Sequence, residues 1–457
     1  MNSTLTAGLD DLAARLDGGL ARAGDPSWDA ARQSWHLAVD QRPSAVVVAR
    51  SVADVVATVC TARALGLRVA AQATGHNAGP MGPLDGTILL KTSAMRGVTI
   101  DPEARFARVE AGALWMDVTG LAAKHGLAAL AGSAADVGVV GYTLGGGLSW
   151  LGRSHGLAAN SVLAAEVVTA DGRLHTVDAE HDPDLFWALR GGGGSFAVVT
   201  ALTFRLFPIE EVHAGVLFFP LERAAEVLHA YREWVQDVPD SVTSVGRLLR
   251  FPPLPDLPDF LRGQSFAVVE AACQLPQDEA DALLAPLREL GPAIDTFRPT
   301  PMPELALLHM DPDGPVPGFG DGLLISAATG EAIDAMLAAA GPETDAPLLS
   351  VELRHLGGAL TPGRMTGGAV TGLDAQFAMF AVGIAPSEEA AAAVRESVDA
   401  VQCALAPWAT GGAYVNFAER RKADTALFGA SARRLREVKA AYDPADVIRG
   451  NHAVRPA

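Results

Sequence analysis

Three glycine-rich segments in the first half of the chain limit its fold more than any other feature. They cover residues 75–82, 138–147 and 191–194, and each lies directly before or after a stretch that the pattern predicts as a strand. Any one of them alone would be interpreted as a loop. Glycine accepts φ > 0 and lets the backbone approach a ligand closely, so successive N–H groups can converge on phosphate oxygens. Three such segments in one half of the chain therefore indicate a dinucleotide-binding domain.

A nicotinamide dinucleotide domain is the competing interpretation, because GVVGYTLGGG at 138–147 loosely imitates the G-x-G-x-x-G fingerprint. That fingerprint belongs in the first strand-to-helix turn, with an acidic residue about 20 positions later at the end of the second strand. Here the segment comes after 137 residues, and the next predicted strand does not end in this way. The context favours a flavin dinucleotide.

The secondary-structure pattern divides the chain at about residue 207. Before it, short strands are predicted at 45–49, 69–71, 87–90, 105–110, 161–169 and 197–207, with helices at 52–65 and 115–125. Ser51 is the expected N-cap of the first helix, and Gly66 lies just past its end. After it, longer strands at 214–219, 242–250, 265–273, 348–356 and 376–383 are separated by alanine-rich helices at 277–290, 331–340 and 387–405. This second pattern predicts an antiparallel α+β layer.

The composition excludes several classes of partner. The chain has 35 basic and 53 acidic residues and a net charge of −18, so we expect neither nucleic acid nor a membrane surface to bind it. Its three cysteines are far apart in sequence and form no disulfide framework or zinc spacing. The N-terminus lacks the basic region of a signal peptide, and no apolar run is long enough to span a bilayer. We expect a cytoplasmic enzyme, monomeric or homodimeric.

Five motifs occur in a characteristic order along the chain. They are TGH at 74–76, VGVVGYTLGGGLSWLGRSHGLAAN at 137–160, DPDLFWALRGGGGSFAVVTALTFRLFP at 182–208, AYVNF at 413–417 and DPADVIRGNHAV at 443–454. In this order they resemble the berberine-bridge-enzyme-like FAD-linked oxidases of the vanillyl-alcohol-oxidase superfamily. The resemblance implies an α+β, two-domain PCMH-type FAD-binding fold whose substrate domain is built on an antiparallel sheet. Residues 1–208 and 411–457 would form the FAD-binding domain, and residues 209–410 the substrate-binding domain.

The resemblance also assigns cofactor-binding residues. His76 matches the histidine that forms an 8α-histidyl bond to FAD, whereas Ala134 stands where many relatives have a second linking cysteine, so a single covalent linkage is expected. Val137 occupies the position of a small gate residue beside the flavin, and valine there favours an oxidase over a dehydrogenase. The other expected cofactor-binding residues are Thr74, Gly75, Asn77, Gly138, Gly141, Tyr142, Gly145, Gly146, Gly192, Val199, Asn416 and Asn451.

Many relatives carry an arginine and more glycines just before the histidine. This chain has Gln72, Ala73 and Thr74 there, so backbone N–H groups are expected to hold the pyrophosphate.

Candidates for acid–base work come from alternation in the segment LLSVELRHLGG. A period of two places Ser350, Glu352 and Arg354 on one face of a strand, and the apolar residues between them on the other. By the resemblance, the polar face roofs the flavin. Glu352 is then the first candidate base, and a structural ion pair between Glu352 and Arg354 is the alternative. Tyr414 is the second candidate base, but a phenol with a pKa of ~10 would need a neighbouring cation.

The function predicted from these features is that of an oxidase. It would take hydride from an alcohol or a C–H/C–N bond of a small or medium organic molecule, and dioxygen would reoxidise the flavin to give hydrogen peroxide. Arginine greatly outnumbers lysine and alanine is abundant, which suggests a high-GC bacterium and, by analogy, a tailoring step in secondary metabolism. Two alternatives stay open: a redox-neutral cyclase or isomerase, and a flavin-binding protein without catalysis.

Overall fold

A computed structural model describes residues 3–255 and 257–457. Its first sheet has the order β1-β2-β4-β3, in which β2, β4 and β3 run parallel and β1 is antiparallel to β2. The strands and helices of this part are β1 (Gly19–Ala21), β2 (Ala45–Val48), β3 (Arg68–Gln72), β4 (Thr87–Lys91), α1 (Ser3–Ala13), α2 (Trp28–Arg32) and α3 (Val52–Leu65). The predicted caps of α3 are confirmed, because the Ser51 side chain accepts from the Asp54 N–H and Gly66 is left-handed with φ 67°.

A second, antiparallel sheet has the order β5-β6-β9-β7-β8. Its elements are β5 (Val98–Asp101), β6 (Phe106–Glu110), β7 (Val162–Val168), β8 (Leu174–Val177), β9 (Val198–Arg205), α4 (Trp115–Ala123), α5 (Val139–Leu144), α6 (Gly152–His155) and α7 (Pro183–Leu189). Trp115, Phe196 and Phe204 fill the core between this sheet and its helices. The glycine-rich segment 138–147 contains α5, so it contacts both this core and the cavity described below.

The third sheet has eight antiparallel strands, in the order β13-β10-β12-β11-β16-β17-β15 with β14 beside β10. Its elements are β10 (Glu211–Pro220), β11 (Val242–Arg250), β12 (Ser265–Cys273), β13 (Ile294–Asp295), β14 (Arg298–Pro301), β15 (Gly318–Ile325), β16 (Ser350–His355), β17 (Phe377–Ile384), α8 (Ala224–Trp234), α9 (Gln277–Arg288), α10 (Gly330–Ala340) and α11 (Glu388–Leu405). The helices cover one face, where Val351 and Leu353 of β16 are buried among helix side chains. The predicted antiparallel α+β layer is confirmed.

The C-terminal residues return to the first two sheets. They form α12 (Asp424–Phe428) and α13 (Ala432–Tyr442), after which Ile448 bridges to Val69 of β3. The buried Lys439 ammonium of α13 donates to the carbonyls of Ser195 and Ile448 at 2.7 and 2.6 Å. None of the helices in the described ranges is long and apolar enough to cross a bilayer.

The sequence pattern did not predict β5, β8, β15 or α8. The strand β15 reads GFGDGLLI and lacks the β-branched alternation that predicts a strand. Its glycines are needed by packing, since a Cβ at Gly322 would lie 2.7 Å from the Phe417 Cβ and one at Gly320 would lie 2.6 Å from the Phe380 ring. Tertiary contacts, and not propensity, select a strand here.

Candidate active site

A cavity of about 400 Å³ lies between the glycine-rich segments and the uncovered face of the third sheet. Its floor comes from residues 71–78, 132–145, 193–199 and 450–451, its roof from β11, β16 and β17, and one wall from residues 414–419. The predicted site residues that line it are Thr74, Gly75, His76, Asn77, Val137, Gly138, Gly141, Tyr142, Gly145, Val199, Glu352, Arg354, Tyr414, Asn416 and Asn451. Residues from three distant parts of the chain thus meet at one cavity.

Gly146 and Gly192 were expected at the cofactor but do not line the cavity. A Cβ at Gly192 would lie 2.3 Å from the Ala188 carbonyl oxygen and 2.7 Å from a Leu435 methyl group, so this glycine is required by helix packing. Gly146 adopts φ 112°, which turns the chain after α5. Gly193 and Gly194 line the cavity instead.

Two glycines show why the floor of the cavity needs this residue type. Gly75 has φ 90°, and a Cβ there would lie 2.4 Å from the Gln72 amide nitrogen. A Cβ at Gly145 would lie 1.9 Å from the Asn416 amide oxygen. The Asn416 amide in turn donates to the Tyr142 carbonyl at 2.9 Å and to the Tyr414 hydroxyl at 3.0 Å. The segment at 414–416 is therefore held directly against the glycine-rich turn.

The imidazole of His76 is held by three neighbours. The Trp35 ring stacks on it with 4.0 Å between ring centroids and an interplanar angle of 19°. The Thr74 hydroxyl lies 2.8 Å from Nδ1, and Asp136 Oδ1 lies 3.3 Å from Nε2. The Trp35 indole N–H donates to the other Asp136 oxygen at 2.6 Å.

The roof carries a buried cluster of charged groups centred on His309. Its Nδ1 lies 2.5 Å from Glu270 and its Nε2 lies 2.7 Å from Glu352. Arg354 bonds Glu352 through Nε at 2.6 Å, and Arg247 lies 3.0 Å from Glu270. We call these five residues the roof cluster. The predicted orientation of Glu352 and Arg354 toward the cavity is confirmed, and the two form an ion pair.

Electrostatics in the roof cluster decides which groups carry charge. Burial opposes ionisation of Glu352, but Arg354 and His309 outweigh it and hold the pKa of this carboxyl well below its usual value. For His309, burial and Arg247 favour the neutral ring, whereas Glu270 and Glu352 favour the cation, and its pKa is raised. A carboxylate with two cationic partners and a lowered pKa is a weak proton acceptor. These contacts favour a positioning role for Glu352 over that of a base.

Tyr414 lies at the wall of the cavity and is only 5% exposed. Burial raises its pKa, although the Asn416 amide, the N–H groups of Leu148 and Gly147 and the charge of Arg354 all favour the phenolate. Arg354 is thus the cation that a phenolate base would need, but burial outweighs it. At neutral pH the side chain is a phenol that can donate a hydrogen bond.

Among the residues of the site that were not predicted from the sequence are His309, Arg247, Trp35 and Asp136. His309 comes after a short 3₁₀ helix at Met302–Leu307, in a stretch without periodicity, and no sequence pattern joins it to β12 or β16. Arg247 did carry a signal, because alternation in β11 places it on the same face as the cavity-lining Leu249. Trp35 and Asp136 are 101 residues apart, so only the tertiary structure brings them together.

The donor set of the cavity fits a flavin dinucleotide. The Gln72 side-chain amide is buried with neither of its polar atoms paired to a described residue, and the Asn77 amide oxygen is likewise unpaired. Both residues line the cavity beside glycines that leave the backbone accessible. Unpaired buried amides are costly in an empty site and are satisfied by a polar ligand. Within residues 3–255 and 257–457, no group of histidine, cysteine and acidic side chains could hold a metal ion.

Comparisons with known proteins agree with this geometry. The family profile described as "FAD binding domain" matches residues 43–178, and that described as "Berberine and berberine like" matches residues 413–455. The FAD-linked oxidoreductase YgaK of Bacillus subtilis is 28% identical over 97% of this chain and 98% of its own. The (R)-6-hydroxynicotine oxidase of Paenarthrobacter nicotinovorans is 36% identical over 40% of each chain.

Solved structures share the fold along nearly the whole chain. A berberine-bridge-enzyme-like protein of Physcomitrella patens superposes with a TM-score of 0.84 at 20% identity, covering 98% of this chain and 99% of the other. The 6-hydroxy-D-nicotine oxidase of Arthrobacter nicotinovorans superposes with a TM-score of 0.83 at 24% identity, covering 97% and 98%. The predicted α+β FAD-binding architecture is confirmed at the level of the fold.

Proposed function

Because the chain belongs to the berberine-bridge-enzyme-like FAD-linked oxidoreductases, we propose that it is an oxidase of a small or medium organic molecule. This proposal rests on the arrangement of one cavity. The glycine-rich segments and His76 form its floor, and the roof cluster lies opposite them. A cofactor held on the floor would face a substrate held under the roof. The named relatives include oxidases of 6-hydroxynicotine and of oligosaccharides, which are small organic compounds.

FAD is the cofactor of this family, and bound FAD supplies a two-electron acceptor for hydride. We propose that backbone N–H groups of the segments at 74–77 and 138–145 hold it, together with the side chains of Gln72, Asn77 and Asn416. His76 would bind it covalently, and only once, because Ala134 cannot form a thioether. A related glucooligosaccharide oxidase carries both a 6-S-cysteinyl and an 8α-N1-histidyl linkage, so this chain would retain one of those two bonds.

The roof cluster positions one cationic donor for the substrate. Glu352 accepts from the Nε and Nη2 of the Arg354 guanidinium, while its Nη1 donates to no acceptor among the described residues. We propose that this N–H group binds an oxygen of the substrate, with the Tyr414 phenol as a second donor. Apart from the Ser350 hydroxyl, the rest of the roof is apolar, with Leu249, Phe380, Val382 and Ile384 at the cavity. The substrate would therefore be largely apolar with one polar end, and secondary metabolism is a context consistent with such a compound.

The rate at which dioxygen reoxidises the reduced enzyme tests whether the protein is an oxidase. The flavin is reduced with dithionite, excess reductant is removed, and the protein is mixed with air-saturated buffer in a stopped-flow spectrophotometer. We expect reoxidation faster than that of free reduced FAD, with hydrogen peroxide as product. Val137→Leu should slow reoxidation because a larger side chain fills the cavity beside the floor, whereas Val52→Leu, in α3, should not.

Reoxidation no faster than that of free FAD would exclude an oxidase and leave a dehydrogenase or a redox-neutral enzyme. Equal reoxidation rates in Val137→Leu and Val52→Leu would instead show that Val137 does not control the access of dioxygen, and the oxidase assignment would stand.

A further inference from the structure

Asp136 joins the two stacked rings beside the floor of the cavity. One of its carboxylate oxygens accepts from the indole N–H of Trp35 at 2.6 Å, and the other lies 3.3 Å from the imidazole Nε2 of His76. The Asp136 side chain is 27% exposed and that of His76 is 21% exposed, so water screens this pair only in part. A single carboxylate therefore holds both members of the stacked pair.

The position of the imidazole proton can be inferred from these contacts. Burial opposes ionisation of Asp136, but His76 and Trp35 outweigh it, and the pKa of this carboxyl is lowered. The ionised carboxylate oxygen 3.3 Å from Nε2 attracts positive charge there, so this electrostatic contact favours the tautomer of His76 that carries its proton on Nε2. Nδ1 then keeps its lone pair and accepts from the Thr74 hydroxyl at 2.8 Å. A histidine in this tautomer is a nucleophile at Nδ1.

We propose that Asp136 is a positioning residue for covalent attachment of FAD: it holds the proton of His76 on Nε2 and so leaves Nδ1, the N1 nitrogen linked to FAD in the related glucooligosaccharide oxidase, ready to react. Trp35 supports it twice, by stacking on the imidazole and by holding the carboxylate through the indole N–H. The inference rests on the covalent linkage proposed above and adds which side chains prepare the reacting nitrogen. Thr74 would release Nδ1 by rotation of its hydroxyl.

Attachment oxidises the 8-methyl group of the flavin and reduces the flavin ring. One C–H bond of the 8-methyl group of the flavin and the imidazole N–H bond break, and one C–N bond forms at Nδ1. The two protons and two electrons that are released reduce the flavin ring. Dioxygen then reoxidises it and is itself reduced to hydrogen peroxide. Asp136 stabilises the positive charge that develops on the imidazole as Nδ1 forms its bond, since Nε2 still carries its proton at that moment.

The rate of covalent attachment tests this inference. Full-length protein is prepared with the flavin removed or underloaded and is incubated aerobically with FAD. Attachment is measured by the flavin that stays with the acid-precipitated protein and by the mass of the intact chain. Asp136→Asn should bind FAD but attach it roughly 10- to 100-fold more slowly, because the negative charge that stabilises the imidazole as Nδ1 reacts is lost. Asp136→Glu should recover part of the rate, and Asp334→Asn, on the surface of α10, should match the wild type.

Trp35→Phe provides a second test should Asp136→Asn fail to fold. It retains an aromatic ring over His76 but removes the indole N–H, so attachment should again be slowed. NMR of the flavin peptide released by proteolysis should place the flavin carbon on Nδ1. Attachment at the wild-type rate in both variants, or a bond to Nε2, would overturn the inference while leaving the covalent linkage intact. A wild-type protein that releases all of its FAD in acid would overturn the linkage itself, and the role of Asp136 with it.

Discussion

At the roof of the cavity, two carboxylates hold one imidazole from both sides. Glu270 and Glu352 bind the two nitrogens of His309, and neither carboxylate is more than 2% exposed. Buried carboxylates are stable only with compensating cations, which Arg247 and Arg354 supply together with the imidazolium. Each member of the roof cluster is therefore needed by the others. The cluster holds Arg354 in one orientation, as a donor to a substrate must be held.

The raised pKa of His309 predicts how stability depends on pH. Because the folded protein binds this proton more tightly than the unfolded chain does, the contribution is complete below pH ~6.5 and is lost as the pH rises through the raised folded pKa. We expect His309→Gln to lower the free energy of unfolding most at acidic pH and less as the pH rises. Urea unfolding of both proteins between pH ~5.5 and ~8.5 brackets this range and measures the difference. A difference independent of pH would mean that His309 is neutral, and His229→Gln, near the surface, is the control.

Single elements differ in how far their own residues specify them. The alternation in β16 specifies both of its faces, since Val351 and Leu353 lie under the helices and Glu352 and Arg354 at the cavity. The strand β15 is specified by neighbours, because its glycines make room for aromatic rings. A strand with one apolar face has only one register that buries that face.

Truncation of the apolar face of β16 should destabilise the protein without altering the charges of the roof cluster. Leu353 is 2% exposed and packs in the core under the helices. We expect Leu353→Ala to lower the free energy of unfolding by about 2–5 kcal/mol, the usual effect of a cavity left by a buried leucine. Leu307→Ala, at a position 69% exposed, should change it little. Chemical denaturation monitored by circular dichroism measures both, and equal small effects would contradict the described packing.

In the whole molecule, the C-terminal segment packs against the N-terminal half of the chain. We propose that residues 1–208 and 411–457 form the FAD-binding domain around residues 209–410, the substrate-binding domain. Three contacts support this division: Asn77 donates to the Val415 carbonyl at 3.0 Å, Ile448 bridges to Val69, and Lys439 donates to the Ser195 carbonyl. The return of the chain brings Tyr414 and Asn416 to the cavity, so the site is complete only when the C-terminal residues have docked.

Lys439 is the buried residue that bonds the C-terminal segment to the N-terminal half of the chain. Its ammonium lies 2.5 Å from the Asp443 carboxylate, and both side chains are fully buried. We expect Lys439→Met to destabilise the protein by about 3–5 kcal/mol, because it leaves Asp443 as an unpaired buried charge. Arg433→Met, at an exposed position of the same helix, should have little effect. Thermal unfolding with and without added FAD measures both, and an unchanged melting temperature in Lys439→Met would contradict the role of this ion pair.

The amino-acid sequence alone predicted the FAD-binding architecture from the order of five short motifs, and it predicted the caps of α3 and the two faces of β16 from residues that are close in the chain. Glycine positions, periodicity and motif order are visible without any distance in space, and they predicted most of the site residues that line the cavity. Three features became visible only in the folded protein: Gly193 and Gly194, and not Gly192, line the cavity, His309 lies between two carboxylates, and Trp35 and Asp136 meet at His76. The physical reason is that charge pairing and close packing depend on distances in space, and Trp35 and Asp136 lie 101 residues apart in the chain.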